Sequence, residues 1–400
     1  MTERPRSRHL AAAVAAGILL LVAGLRLAHA GTTVPIGYVE ITDDPRYDDK
    51  WAYAGLLLAP GGRPVAGAEL ALDDININGQ AFNLQFALQK AEAPDAKGMI
   101  AAIQKLEQAD NVHLFLIDAA DAILTEVAKA LRDAPVLLLN VSAESDGLRA
   151  EACQPNLLHT IPSYAMRMDA LAEFLTAKKW RQVLVLQGPL PDDAVLAAAF
   201  DRSAKKFGLE IADTRKFRIG NDPRNRDQDN LALLTSGVDY DVVFVADSDG
   251  EFGRYLPYAT QLPRPVVGTA GLTAVAWYWA FESYGAAQLT RRFYRHAKRQ
   301  MQEADWAAWV AVRALGDAVM HTHGADVAAV GRYLRSDSLA LDGSKGTALN
   351  FRSWDNQLRQ PILLADSNWV VAEAPLPQFQ HATNNLDTLG IDKPESKCHF

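Results

Sequence analysis

The chain has 400 residues, of which 49% are hydrophobic and 22% charged, and 40 Lys plus Arg stand against 48 Asp plus Glu for a net charge of −8. That acidic balance argues against a nucleic-acid surface.

In chain order, the first 30 residues read as a secretory signal. Arg4, Arg6 and Arg8 give a positive start, Leu10 to Leu21 is almost wholly apolar, and "AHA" at Ala28–Ala30 is an A-x-A cleavage site. The apolar run is shorter than the roughly 20 residues of a spanning helix. The expectation is cleavage after Ala30 and export to the periplasm. Cleavage removes four Arg and one Glu, leaving 36 positive and 47 negative charges, net −11. The remaining 370 residues exceed what one core usually supports, so two domains are expected.

The body alternates aliphatic runs with amphipathic ones, the sign of βαβ units and a parallel sheet. "VPIGYVEI" from Val34 reads as a strand, "AGAELALDDIN" as a helix and "FNLQFALQKAE" as a strand. The helix "DAKGMIAAIQKLEQA", the strand "VHLFLID", the helix "DAILTEVAKALRD" and the strand "APVLLLN" follow. After Cys153 the alternation restarts: the helix from Tyr164, the strand "QVLVLQ", the helix from Asp192, the strand from Leu209, a polar loop and the strand "DVVFVAD". Beyond Val266 come "PVVGTAGL", an aromatic stretch holding Trp277, Tyr278 and Trp279, and the helix "ADWAAWVAVRALGDAV". A sheet that starts, hands over to a second and then returns predicts two lobes. The expected fold class is α/β, with lobe 1 over 31–160 and 269–350, lobe 2 over 161–268 and 351–372, and a polar tail over 373–400 draped on the surface. Ligands of such folds sit where the loops of both lobes meet. Cys153 and Cys398, in a chain bound for an oxidising compartment, are expected to form a structural disulfide.

Catalytic and metal motifs are missing from the sequence. There is no phosphate loop, H-E-x-x-H, C-x-x-C or G-x-S-x-G elbow. His321 and His323 would face opposite sides of a helix, and Asp43, Asp44, Asp48 and Asp49 read as a solvated acidic loop. The expectation is a binding protein that is not an enzyme, needs no cofactor and is monomeric.

"GAELALDDININGQ" (Gly67 to Gln80) resembles the first helix of the type I periplasmic solute-binding proteins of the Leu/Ile/Val-binding family. In the same order, "LLHTIPSYAMRMDALAEFLTAKKWRQVLVLQG", "DYDVVFVAD", "DWAAWVAVRALGDAV" and "GSKGTALNFRSWDNQLRQPILLA" are similar to that family's later segments, so the likeness covers nearly all of the mature chain. One departure is "LIDAADAILTE", with Asp118 and Asp121 where amino-acid binders carry small hydroxyl residues. "EITDDPRYDDKWAY" and "TAGLTAVAWYWAFESYGAAQLTRRF" look like the subfamily associated with PQQ-dependent alcohol dehydrogenase systems. That resemblance implies two Rossmann-like lobes with a hinge, an ABC permease as partner and pyrroloquinoline quinone (PQQ) as the ligand. The alternatives are an amino acid, an aromatic acid or an alcohol as ligand, or a PQQ sensor or chaperone serving a dehydrogenase.

PQQ is a flat ring system with three carboxylates, so its site needs aromatic faces and guanidinium forks. On loops after strands or at helix starts, the candidates are Arg46, Tyr47, Trp51, Ser142, Arg167, Arg254, Trp277 and Trp279. Each has a plainer alternative: Arg167 with Asp169 or Glu173, and Arg46 and Arg254 in ion pairs with acidic neighbours. Trp277 and Trp279 are both expected to face the cleft.

Overall fold

The computed structural model describes residues 31–52, 55–59, 61–218 and 230–400. The expected signal segment and most of the polar loop before residue 230 lie outside these.

Lobe 1 is built on β1 (Thr32–Ile41), α1 (Val65–Gly79), β2 (Leu84–Ala93), α2 (Ala96–Asp110), β3 (Leu114–Asp118), α3 (Asp121–Ala130), β4 (Leu137–Asn140) and β5 (Leu157–His159). Its five strands are all parallel, in the order β2-β1-β3-β4-β5. β3 is buried along its whole length because helices cover both faces of the sheet, which is why it reads as an unbroken apolar run. Asp95 starts α2 by accepting from Gly98 N at 2.7 Å.

Lobe 2 follows with α4 (Tyr164–Lys178), β6 (Gln182–Gln187), α5 (Pro191–Phe207), β7 (Glu210–Lys216), β8 (Val242–Ala246) and β9 (Val266–Gly268). Its parallel order is β9-β8-β6-β7. The chain then crosses through β10 (Thr273–Val275) and returns to lobe 1 as α6 (Ala286–Ala297), α7 (Glu303–Thr322) and α8 (Val327–Leu334). It closes with β11 (Ile362–Asp366) and β12 (Trp369–Ala374), which pair antiparallel with each other and, through β11, with β10.

That third sheet joins the two cores. On β11, Ile362 and Leu364 belong to the lobe 2 core while Leu363 belongs to the lobe 1 core, the alternation a strand imposes. The crossing strands therefore sit where a hinge between lobes must be. α7 packs on α1, and Gly67 permits the contact: a Cβ there would lie 1.9 Å from Asp305 O.

The tail is embedded more deeply than the draped surface segment expected from its polar sequence. Asp387 is fully buried and accepts from Arg352 Nε at 2.9 Å and Arg359 Nε at 2.7 Å. Leu389 enters the lobe 2 core, and Cys398 is bonded to Cys153.

Candidate functional site

A cavity of about 780 Å³ opens between the lobes at the carboxyl ends of their strands. Lobe 1 contributes Arg46 and Lys50 after β1, Asp121 at the start of α3, and Ser142 and Glu144 after β4. Lobe 2 contributes Tyr164 and Arg167 on the first turn of α4, Asp192 on the first turn of α5, and the loop Asp247–Gly250 after β8. The floor is the crossing strand Thr273–Val275.

Arg46 is held in place before any ligand arrives. Asp44 caps the short turn Pro45–Tyr47 by accepting from Arg46 N at 3.0 Å, and the same carboxylate takes Arg46 Nε at 2.9 Å and Nη2 at 2.6 Å. Burial would raise the Asp44 carboxyl, but the Arg46 hydrogen bonds outweigh it and hold it lowered. Arg46 Nη2 also reaches buried Asp118 at 3.1 Å, and Nη1 reaches Ser142 Oγ at 3.3 Å. Tyr47 donates to Asp118 at 2.6 Å, and burial beside that carboxylate pushes its phenol well up. Tyr47 thus braces Asp118 behind Arg46 and is not among the residues lining the cleft.

Arg167 ties the lobes together. Its Nη1 donates to both Glu144 oxygens at 2.7 Å, its Nη2 to Glu303 at 3.0 Å and its Nε to Ala274 O at 2.8 Å. Neither Asp169 nor Glu173 is its partner: Asp169 takes Ser203 and Lys206, and Glu173 takes Leu376 N and Thr388. Burial pushes Glu144 up to about 7, with Arg167 opposing and Glu303 adding to the rise. Burial also raises Asp247, which accepts from Gly253 N at 2.7 Å. Across the mouth, Lys50 Nζ reaches Ser248 O at 3.5 Å, and Arg202 of α5 pairs with Asp146 of lobe 1.

The sequence-predicted residues therefore divide. Arg46, Ser142 and Arg167 line the cleft together. Trp51 is 59% exposed beside its neighbour Lys50 and does not line the cavity. Arg254 pairs with Glu251 at 2.9 Å and lies over the Tyr255 ring at 4.4 Å, lining a different cavity with Trp180 and Tyr258. Trp277 is a core residue, only 2% exposed and stacked on Trp306 with ring centroids 6.2 Å apart. Trp279 is 42% exposed and opens onto another pocket of lobe 1. The expectation that both Trp face the cleft is corrected for a local reason. After β10 the chain is in neither a helix nor a strand, and it turns at Trp279, with Trp277 buried and Trp279 exposed.

Sequence reasoning missed Lys50, Asp121, Glu144, Tyr164, Asp192 and Asp247 in the lining. Their shared signal was position on a loop after a strand or at a helix start; the four carboxylates are not the residue types a flat anion calls for, whereas Lys50 and Tyr164 are of those types and were legible by position. The lining holds five carboxylates (Asp121, Glu144, Asp192, Asp247 and Asp249) against three cations (Arg46, Lys50 and Arg167). Asp192 and Asp249 form no ion pair among the described residues, whereas Arg46 and Arg167 are already paired.

The sequence profile of the periplasmic binding protein family matches residues 55–254, half of the chain. A search of curated proteins gave no match. Among solved structures, a branched chain amino acid ABC transporter periplasmic ligand-binding protein from Burkholderia xenovorans is similar at 14% identity and TM-score 0.71, covering 91% of this chain and 99% of its own. An ABC transporter substrate-binding protein from Sphaerobacter thermophilus is similar at 16% identity and TM-score 0.71, covering 90% and 100%. A solute binding protein from R. palustris, solved in complex with benzoate, is similar at 13% identity and TM-score 0.63, covering 92% and 100%. At these identities the likeness shows the fold alone.

Proposed function

The chain belongs to the periplasmic binding protein family, and from that premise we propose that it captures a small solute bearing amine or hydroxyl donors between its lobes and delivers it to an ABC permease. The observation that carries the ligand class is the surplus of carboxylates in the cleft. Among the described residues Asp192 and Asp249 have no ion-pair partner, so donor groups on a solute supply cations or hydrogen bonds to them. Arg46 keeps Nη1 beside Ser142, a place for one acceptor of the solute. Contacts made to both lobes favour the closed form by population shift, and Lys50–Ser248 and Arg202–Asp146 are closing contacts of that kind. The role is binding and delivery, with no turnover of the solute.

A second reading keeps PQQ as the solute, with a PQQ-dependent dehydrogenase as a further partner. It is favoured by the sequence resemblance and by Arg46, Arg167 and Tyr164 lining one cavity. It requires both guanidiniums to exchange protein carboxylates for ligand ones beside five like charges.

A thermal-shift panel of amino acids, amines, polyols, benzoate and PQQ on the mature protein separates these readings. A solute at 100 times its Kd adds about 2.7 kcal/mol to the folded state. The expected result is a raised midpoint with an amine or polyol and none with benzoate. A rise with PQQ alone would replace the first reading by the second, and no response across the panel would sink both. Recovery of the bound solute chemically unchanged after incubation checks that there is no turnover.

A further inference from the structure

Exposed rings beside arginines that form no ion pair among the described residues come together in a pocket on the outer face of lobe 1. This pocket, of about 1130 Å³, is formed by the turn after β10, one face of α6 and the turn between β11 and β12. Trp279 and Tyr294, 42% and 51% exposed, both line it, and Phe281, a residue of the lobe 1 core, lines it as well. Arg291 and Arg295 lie one helical turn apart on α6 and both line it.

Three observations set this pocket apart from an ordinary solvated helix face. First, α6 carries Arg291, Arg292, Arg295 and His296 with no acidic residue, in a chain of net charge −8. Second, its other cations are matched, Arg292 by Asp74 and His296 by Glu69, whereas Arg291 and Arg295 form no ion pair among the described residues. Among the described residues the Arg291 side chain donates only to Ala287 O at 3.0 Å, and Glu282 is the single carboxylate in the lining. Third, Thr290, 8% exposed and also in the lining, has a buried hydroxyl with no hydrogen-bond partner among the described residues.

We propose that this pocket is a second binding site, distinct from the interlobe cleft, for a planar aromatic di- or tricarboxylate. The ring stacks on Trp279 or Tyr294, Arg291 and Arg295 each fork a carboxylate, and the Thr290 hydroxyl finds its partner at the inner edge. A non-aromatic polyanion lacks the stacking contribution, and a neutral aromatic lacks the charge-assisted hydrogen bonds.

The probe is benzene-1,3,5-tricarboxylate, titrated into the mature protein by calorimetry at low salt, with cyclohexane-1,3,5-tricarboxylate as the non-aromatic control. Saturable binding of one equivalent is expected, with the cyclohexane compound weaker. Arg291→Gln and Arg295→Gln, both exposed and silent for folding by circular dichroism, are each expected to weaken it roughly tenfold or more. Trp279→Ala is expected to weaken it severalfold, and Ser142→Ala in the cleft to leave it unchanged. The Arg variants are expected to retain whatever thermal response the cleft solute gives the wild type, which keeps failure here separate from failure of the transport reading. Absence of saturable binding, equal affinity for the cyclohexane compound, or loss of binding in Ser142→Ala but not in the Arg variants would overturn the proposal.

Discussion

Arg167→Met tests whether the ion cluster at the crossing strands holds the lobes together. The guanidinium makes charge-assisted bonds to Glu144 at 2.7 Å twice and to Glu303 at 3.0 Å, plus one to Ala274 O at 2.8 Å. Removing one partner of a buried pair costs about 3–5 kcal/mol. The three side chains here are 18–24% exposed, so water recovers part of that and the expected loss is about 2–4 kcal/mol. The loss also depends on pH. Glu144 is raised from 4.5 to about 7 when folded, so its contribution to stability is complete below its unfolded value and is lost as pH rises through about 7. Arg167 opposes that rise, so without it the folded value climbs further and the ionisation penalty extends to higher pH. Urea unfolding followed by far-UV circular dichroism at pH 6 and pH 8 should show a deficit about 1 kcal/mol larger at pH 8, given about 1.4 kcal/mol per pKa unit. Adding Glu144→Gln should recover part of the pH 8 deficit. A loss below about 1 kcal/mol, or an equal deficit at both pH values, would refute the reasoning.

Two further changes probe the scaffold. Gly67→Ala in α1 should destabilise by about 1–3 kcal/mol despite the gain of about 1 kcal/mol that Ala usually brings to a helix, because its Cβ would lie 1.9 Å from Asp305 O; a thermal midpoint at or above wild type would refute the close approach of α1 and α7. Glu173 is fully buried under the tail, accepting from Leu376 N at 3.0 Å and Thr388 Oγ1 at 2.9 Å, and burial pushes it up to about 7. Its stabilising contribution is therefore present at low pH and lost as pH rises from about 4.5 through about 7, by at most about 3 kcal/mol. Glu173→Gln should flatten the midpoint-against-pH curve between pH 5 and 8, and an unchanged slope would assign that dependence to another group.

The central strands β3, β4, β6 and β8 were readable because they are apolar runs of the right length between turn residues. Gln182–Gln187 coincides with the segment read as "QVLVLQ", and β3 is apolar throughout because both of its faces are covered. Arg46, Ser142 and Arg167 were readable as cleft residues because a doubly wound sheet puts the loops after its strands, and the helix starts that follow them, at the ligand crevice. What they are bonded to was not readable. Arg46 meets Asp118 across 72 positions and Arg167 meets Glu303 across 136, and no local pattern encodes pairs that only the folded sheets bring together. The tail shows the same limit: its polar composition suggested a loose drape, yet Asp387 is buried by Arg352 and Arg359 from 35 and 28 positions away.

Trp277 and Trp279 failed for a different reason. Helix and strand periods both assume regular structure, but after β10 the chain turns, and neither period applies to a turn. Packing on Trp306 decides where Trp277 goes, and the turn carries Trp279 outward to the pocket flanked by Arg291 and Arg295. The residue types expected for a flat anion were thus present in the sequence, but the fold gathers them at a second place. The cleft holds a surplus of carboxylates with its arginines already paired, and the pocket along α6 holds Arg291 and Arg295, which form no ion pair among the described residues, beside exposed rings. With a Debye length of about 8 Å at physiological salt, each site responds mainly to its own charges, so one chain can offer opposite selectivities in its interlobe cleft and in the lobe 1 pocket.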